Sequence, residues 1–258
     1  MARTMAKFGE ASWRKIERAK KHIYDIDLLR LNVTGSQNYS LIIEQDSNRI
    51  NWLTLDFDAA ALPAPEAALI IGDALHNLRS ALDILWHEVI QECSGTPTRY
   101  SRFLIEDSRD ALEKRLIAAV KDKRISELIS ELMLDTVKPY PTGNYCLWAL
   151  DDLNVRDKHK LIIPMLKWVW ITGVRFEDDE GNVLDAPILI ADRPWRERLS
   201  MDFYAKNLTV KDKGPSAPNV FFDQGFPFEG EPVVAALDRI REVVTSTVKS
   251  FETFFGFA

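Results

Sequence analysis

Between Ile70 and Ile90 the segment IIGDALHNLRSALDILWHEVI carries two residue sets at helical spacing. At about 100° per residue, Ile71, Leu75, Leu78, Leu82, Leu85 and Val89 fall on one side of a helix. Asp73, His76, Ser80, Asp83 and His87 fall on the other, with Asn77 and Arg79 flanking them. A solvated stripe normally takes Lys and Glu, whereas this one takes short, directional Asp, His and Ser. Such residues suit a buried hydrogen-bond network or a ligand-facing surface, and residue types alone leave both readings open. A second set closes LDDLNVRDKHKL, where Asn154, Asp157 and Lys158 share a face and His159 stands at the helix end. Basic residues there also have a structural use, because they complement the helix dipole and bond its last carbonyls.

Two chemistries fit these sets. In the first, His159 or His76 acts as general base and acid on a ribose 2′-hydroxyl and its leaving oxygen. Arg79 or Lys158 then stabilises charge building on phosphate, and Asn77 and Asp83 orient the reacting groups. In the second, Asp73, His76, Asp83, Asn154 and Asp157 form a non-catalytic network that locks helices together. Leaving one partner of such a network unsatisfied costs about 1 to 3 kcal/mol. The two differ in whether the clusters open onto a cleft or seal against each other.

Metal chemistry is not indicated. His22, His76, His87 and His159 all fall on expected helices, but His76 and His87 are three turns apart. That separation is about 16 Å, too far for one ion. Asp73 with His76 supplies at most two ligands and His22 or His159 a third, without an HExxH or Glu-x-x-His spacing. No metal or cofactor is expected. The chain also lacks a Walker A loop, GxGxxG, GxSxG and CxxC, so P-loop, Rossmann and nucleophile-elbow chemistries have no support.

The elements that must position these residues follow from periodicity and punctuation. Apolar residues from Trp13 to Leu29 give a helix over about 12–31. β-prone runs within 38–57, split by Gln45-Asp46-Ser47-Asn48, read as a hairpin. Pro65-Glu66 opens the helix of about 66–93. Shorter helices are expected within 110–134, and Asn144 caps another over about 144–159. From 161 to 224 β-prone runs dominate, with a turn at Asp179-Glu180-Gly181-Asn182, and an antiparallel meander is expected. Glu231-Pro232 starts a closing helix over about 231–255. Helices and strands segregate along the chain, so the fold class is α+β: a bundle of long helices with an N-terminal hairpin and a meander in the second half. No long Gly/Ser linker occurs, which favours one domain over 1–258; the alternative is a helical domain and a β domain divided near residue 160.

Composition bounds the partners. The chain has 258 residues, 46% hydrophobic and 28% charged, with net charge −6, enough for a real core and unlike disorder or a disulfide scaffold. No run reaches the roughly 18 to 20 apolar residues of a membrane span. The charged start MARTMAKFGEASWRK and only two cysteines, Cys93 and Cys146, lead to the expectation of a cytoplasmic protein with free thiols. Within 1–22, seven Lys or Arg stand against two Glu, a local +5 that reads first as a solvated helix face and second as an RNA or nucleotide contact. Seven Trp and thirteen Phe supply core or interface material, so a homo-oligomer is a further expectation.

The stretch Ile71-Gly72-Asp73-Ala74-Leu75-His76-Asn77-Leu78-Arg79-Ser80-Ala81-Leu82-Asp83, the later Leu153-Asn154-Val155-Arg156-Asp157-Lys158-His159-Lys160 and the closing helix after Phe226-Pro227-Phe228-Glu229-Gly230 resemble a group of uncharacterised bacterial and phage proteins. That resemblance spans most of the chain and implies a bacterial cytosolic origin and a one-piece architecture. A looser resemblance is to the HEPN superfamily of helical bundles, many of them metal-independent endoribonucleases whose signature is Arg, a polar residue and a following His. Here Arg156 and His159 have two residues between them, and Arg79 and His87 have seven. The resulting expectation is a binding or interaction protein with a polar helix–helix network; the alternative is a HEPN-like ribonuclease or nucleotide-cleaving enzyme.

Overall fold

The computed structural model describes residues 7–32, 37, 39–57, 64–162, 164–191, 195–201 and 206–257. Helix α1 (Glu10–Asn32) is followed by strands β1 (Tyr39–Gln45) and β2 (Asn51–Phe57) and by the long helix α2 (Ala64–Glu92). Helices α3 (Arg109–Lys121) and α4 (Glu127–Glu131) come next, α4 running into a π-helical turn at Leu132–Val137, and then α5 (Tyr145–His159). Strands β3 (Met165–Asp178), β4 (Val183–Ala191), β5 (Trp195–Met201), β6 (Leu208–Asp212) and β7 (Ser216–Phe221) lead to the closing helix α6 (Val233–Phe255). The α+β class is as the sequence indicates.

Helix α2 lies at the centre because its whole apolar stripe is sealed. Ile71, Leu75, Leu78, Leu82, Leu85 and Val89 are all fully buried, and each such side chain contributes about 1.5 to 3 kcal/mol of transfer free energy. Helices α1, α5 and α6 all pack on it. From α1 come Ile16, Ala19, Ile23 and Ile26, and from α6 Leu237, Ile240, Val244, Val248 and Phe251. Buried Ser12 fixes the α1–α2 register by donating its hydroxyl to the Ala81 carbonyl at 2.9 Å. Near the N-terminus of α1, Gly9 N–H donates to Glu88 Oε2 at 2.7 Å, and Trp13 Nε1 donates to Glu252 Oε1 at 2.7 Å.

Caps set the helix starts as their residue types require. Ser108 accepts from Ala111 N–H, Ser126 from Ile129 N–H and Asn144 from Leu147 N–H. The helical character expected over 110–134 is divided between α3 and α4, with Asp122 and Lys123 between them.

All strand pairs are antiparallel. The strands after residue 161 do not remain in one sheet. β5 leaves to pair with β2, giving the order β1-β2-β5, while β4, β6 and β7 gather around β3. β4 occupies one edge of β3, and the other edge is shared by β6 along Arg175–Asp178 and β7 along Met165–Ile171. The expected succession of neighbours is therefore broken at β5, because β2 offers a free edge that chain order does not reveal. One contiguous core takes residues from helices and strands alike, Leu53 and Phe176 joining Leu82 and Phe251.

Candidate functional site

Helices α2 and α5 run antiparallel, Gly72 lying opposite Asp157 and Arg79 opposite Asp151. The two polar sets therefore meet along one seam, but not as a single constellation. They form two patches separated by about two helical turns.

The first patch is centred on Arg79. Its flanking position on the helix wheel turns it into the α2–α5 seam, where the residue is 7% exposed. Nε is 2.8 Å from Asp151 Oδ1, and Nη2 donates to the Phe103 carbonyl at 3.0 Å. Nη1 lies 3.2 Å from Asp83 Oδ1, close enough for charge attraction but without the geometry of a hydrogen bond. Asp83 Oδ1 in turn accepts the Phe103 N–H at 2.9 Å. One guanidinium thus ties α2, α5 and the segment leading to α3 together. Beside it opens a cleft of about 270 Å³ lined by Arg79, Asp83, Asp151, Asn154 and Lys158, with Arg102, Glu106 and Arg115 at its outer wall.

The second patch surrounds Gly72. A Cβ at Gly72 would stand 2.4 Å from Asp157 Oδ2 and 2.9 Å from its Cγ, so only a glycine lets this carboxylate approach α2. Burial pushes the Asp157 carboxyl up, the Ile162 N–H bonded to it pulls it down, nearby Asp73 raises it and His76 lowers it. Asp157 Oδ1 is buried without a hydrogen-bond partner. Across the same patch His22 of α1 is held below its ordinary value, first by burial and then by Arg18, with Asp73 opposing. His76 itself is exposed and lies 3.4 Å from Ser80 Oγ.

The stripe and its flanks exchange roles relative to the expectation. Asp73 and His76 are exposed and Ser80, Asp83 and His87 half-buried, whereas the flanking Asn77 and Arg79 are buried. The cause is packing on both sides of α2: Asn77 faces α1, receiving Lys15 Nζ at 3.2 Å and donating to the Asp73 carbonyl, and Arg79 faces α5. His87 binds the Ser101 carbonyl at 3.0 Å and anchors the chain after α2.

Of the residues assigned catalytic roles, Arg79 and Lys158 share the cleft, while His76 and His159 do not line it. Asn154 is buried and reaches the cleft; His159 is exposed at the last turn of α5. Asp73, Asn77 and Asp157 belong to the Gly72 side, and Asp83 to the Arg79 side. Sequence reasoning missed Asp151 and the Phe103 backbone. Asp151 stands three residues before Asn154, hence on the same face, so helical spacing did carry its signal. The Phe103 contact had no such signal, because it joins a loop to a helix. Among the described residues, no group of three His, Cys, Asp or Glu is arranged to hold a metal ion, and no helix is long and apolar enough to cross a membrane. A scan against protein-family models, a search of curated proteins and a search of solved structures each gave no match to this chain.

Proposed function

We propose that this protein is a binding protein rather than a catalyst, with the α2–α5 seam serving as a structural clamp beside a small polar cleft. The observation that carries this reading is the bonding of Arg79. Its Nε and Nη2 are committed to Asp151 and the Phe103 carbonyl, and Asp83 holds its charge from the same helix. An arginine engaged this way positions helices and would have to break those contacts to follow a reacting phosphate. The histidines to which the ribonuclease reading gives the acid–base roles, His76 and His159, also do not line this cleft. For the HEPN-like ribonuclease alternative, exposed His159 beside Lys158 is the supporting feature.

The reading extends to architecture and setting. We take α1, α2, α5 and α6 as a bundle with the sheets laid against it, on the strength of their mutual packing, in a cytoplasmic protein whose Cys93 and Cys146 are free thiols. For a homo-oligomer the supporting feature is a shallow groove of about 940 Å³ where half-exposed Trp170 meets Phe221 and Val234; light scattering would measure its mass.

The test is incubation of the full chain with RNA in EDTA, alongside His159→Ala, with melting curves of Asp151→Asn. No cleavage and a lowered Tm in Asp151→Asn are expected. Cleavage that disappears in His159→Ala would overturn the reading in favour of the ribonuclease.

A further inference from the structure

The cleft beside Arg79 contains a buried polar side chain with unspent bonding capacity. Asn154 is 4% exposed, and its side-chain amide has no hydrogen-bond partner among the described residues although it lines the cavity. Arg79 Nη1 also makes no hydrogen bond, but it is sealed from the cleft against Asp83 Oδ1, 3.2 Å away. Buried polar groups are normally satisfied, so donors left open on a cavity wall point to something that fills it. Asn154 lies three residues from Asp151 on α5, which Arg79 holds, so its amide is pre-positioned.

Charge identifies the kind of filler. Four cationic side chains line the cleft against three carboxylates, in a chain whose net charge is −6. Asp83 and Asp151 are engaged by Arg79, and Glu106 lies 3.5 Å from Arg115. Lys158 and Arg102 have no counter-ion among the described residues, and both are exposed at the cleft. The cleft of about 270 Å³ lies just below the range of drug-sized pockets. Phe103, its one aromatic lining residue, is 1% exposed, so a nucleobase would have no ring to stack on.

We infer that this cleft binds the phosphate group of a small, non-aromatic phosphomonoester, with the Asn154 amide as inner donor and Lys158 and Arg102 supplying the outer charge. The inference rests on the binding-protein reading above and names its ligand class.

The experiment is calorimetric titration of the full chain with inorganic phosphate, glycerol 3-phosphate and acetate, at constant ionic strength set with chloride. Phosphate and glycerol 3-phosphate should bind saturably at one site, and acetate much more weakly. Lys158→Ala and Arg102→Ala, both at exposed positions that leave the fold alone, should each weaken binding about tenfold, the scale of one charge-assisted hydrogen bond. Asn154→Asp, with its fold checked by circular dichroism, should abolish it. Absence of saturable binding, binding indifferent to Lys158 and Arg102, or acetate binding as tight as phosphate would each overturn the proposal. These outcomes are separate from RNA cleavage, so the ligand class can fail while the binding reading stands.

Discussion

Replacing Arg79 with Met tests the clamp most directly, since Met keeps much of the alkyl packing and removes the charge. Three groups lose a partner: Asp83, Asp151 and the Phe103 carbonyl. The carbonyl loses a bond to a charged donor, on the order of 1.5 to 3 kcal/mol. The carboxylates are 32% and 35% exposed, so they rehydrate in part and add only about 0 to 1 kcal/mol each. The expected loss is roughly 3 kcal/mol, at the lower end of the range for breaking a buried ion pair. At about 2 to 4 °C per kcal/mol for a chain of this size, Tm should fall by roughly 6 to 12 °C. Urea unfolding followed through the seven tryptophans, on Arg79→Met, Asp151→Asn and the double variant, measures both the loss and the coupling. Coupling of about 1 to 3 kcal/mol is expected between contacting charges. A loss under about 1 kcal/mol, or strict additivity, would refute the view that Arg79 ties α2 to α5.

Other consequences can be checked on the same chain. Gly72→Ala gains about 1 kcal/mol of helix propensity but drives a Cβ to 2.4 Å from the Asp157 carboxylate. Overpacking costs about 1 to 3 kcal/mol, so chemical unfolding should show a small net loss, relieved in Gly72→Ala/Asp157→Ala; a stabilised Gly72→Ala would contradict the contact. Asp157 and Glu88 are both raised above their ordinary values of 3.8 and 4.5, chiefly by burial. The native state then holds protons the unfolded state has released, and stability falls as pH rises from those values through the folded pKa. Stability profiles of Asp157→Asn and Glu88→Gln should lack that part of the slope. His22, lowered from 6.5 by burial, acts oppositely: its contribution is full above 6.5 and is lost as pH falls through its folded pKa, a step that His22→Gln should remove.

Much of the helical framework was legible in the sequence, because amphipathic stripes and punctuating residues are local signals. Asn144 capped α5, Pro65 stood in the first turn of α2, and the stripe from Ile71 to Val89 was the face that is buried. The hairpin of β1 and β2 was legible for the same reason, its polar turn lying between two β-prone runs. The sheet partners were harder to read. Trp195–Met201 is a β-prone strand wherever it pairs, and its choice of β2 over β4 depends on which edge is free in space.

The candidate site divides along the same line. Residue types and spacing in one dimension set out the two polar sets and the fact that the first lacks the Lys and Glu of a solvated face. They also supplied Asn154, Asp83, Arg79 and Lys158, which line one cleft. Only the tertiary structure decided that the flanking Asn77 and Arg79, not the middle of the stripe, are the buried residues, because α1 and α5 cover those flanks. It likewise brought in Asp151 and the Phe103 backbone and left His76 and His159 off the cleft lining. A helix's own periodicity fixes which residues share a face; which neighbour covers each face, and therefore which charge is paired and which donor stays open, is set by contacts between segments far apart in the chain.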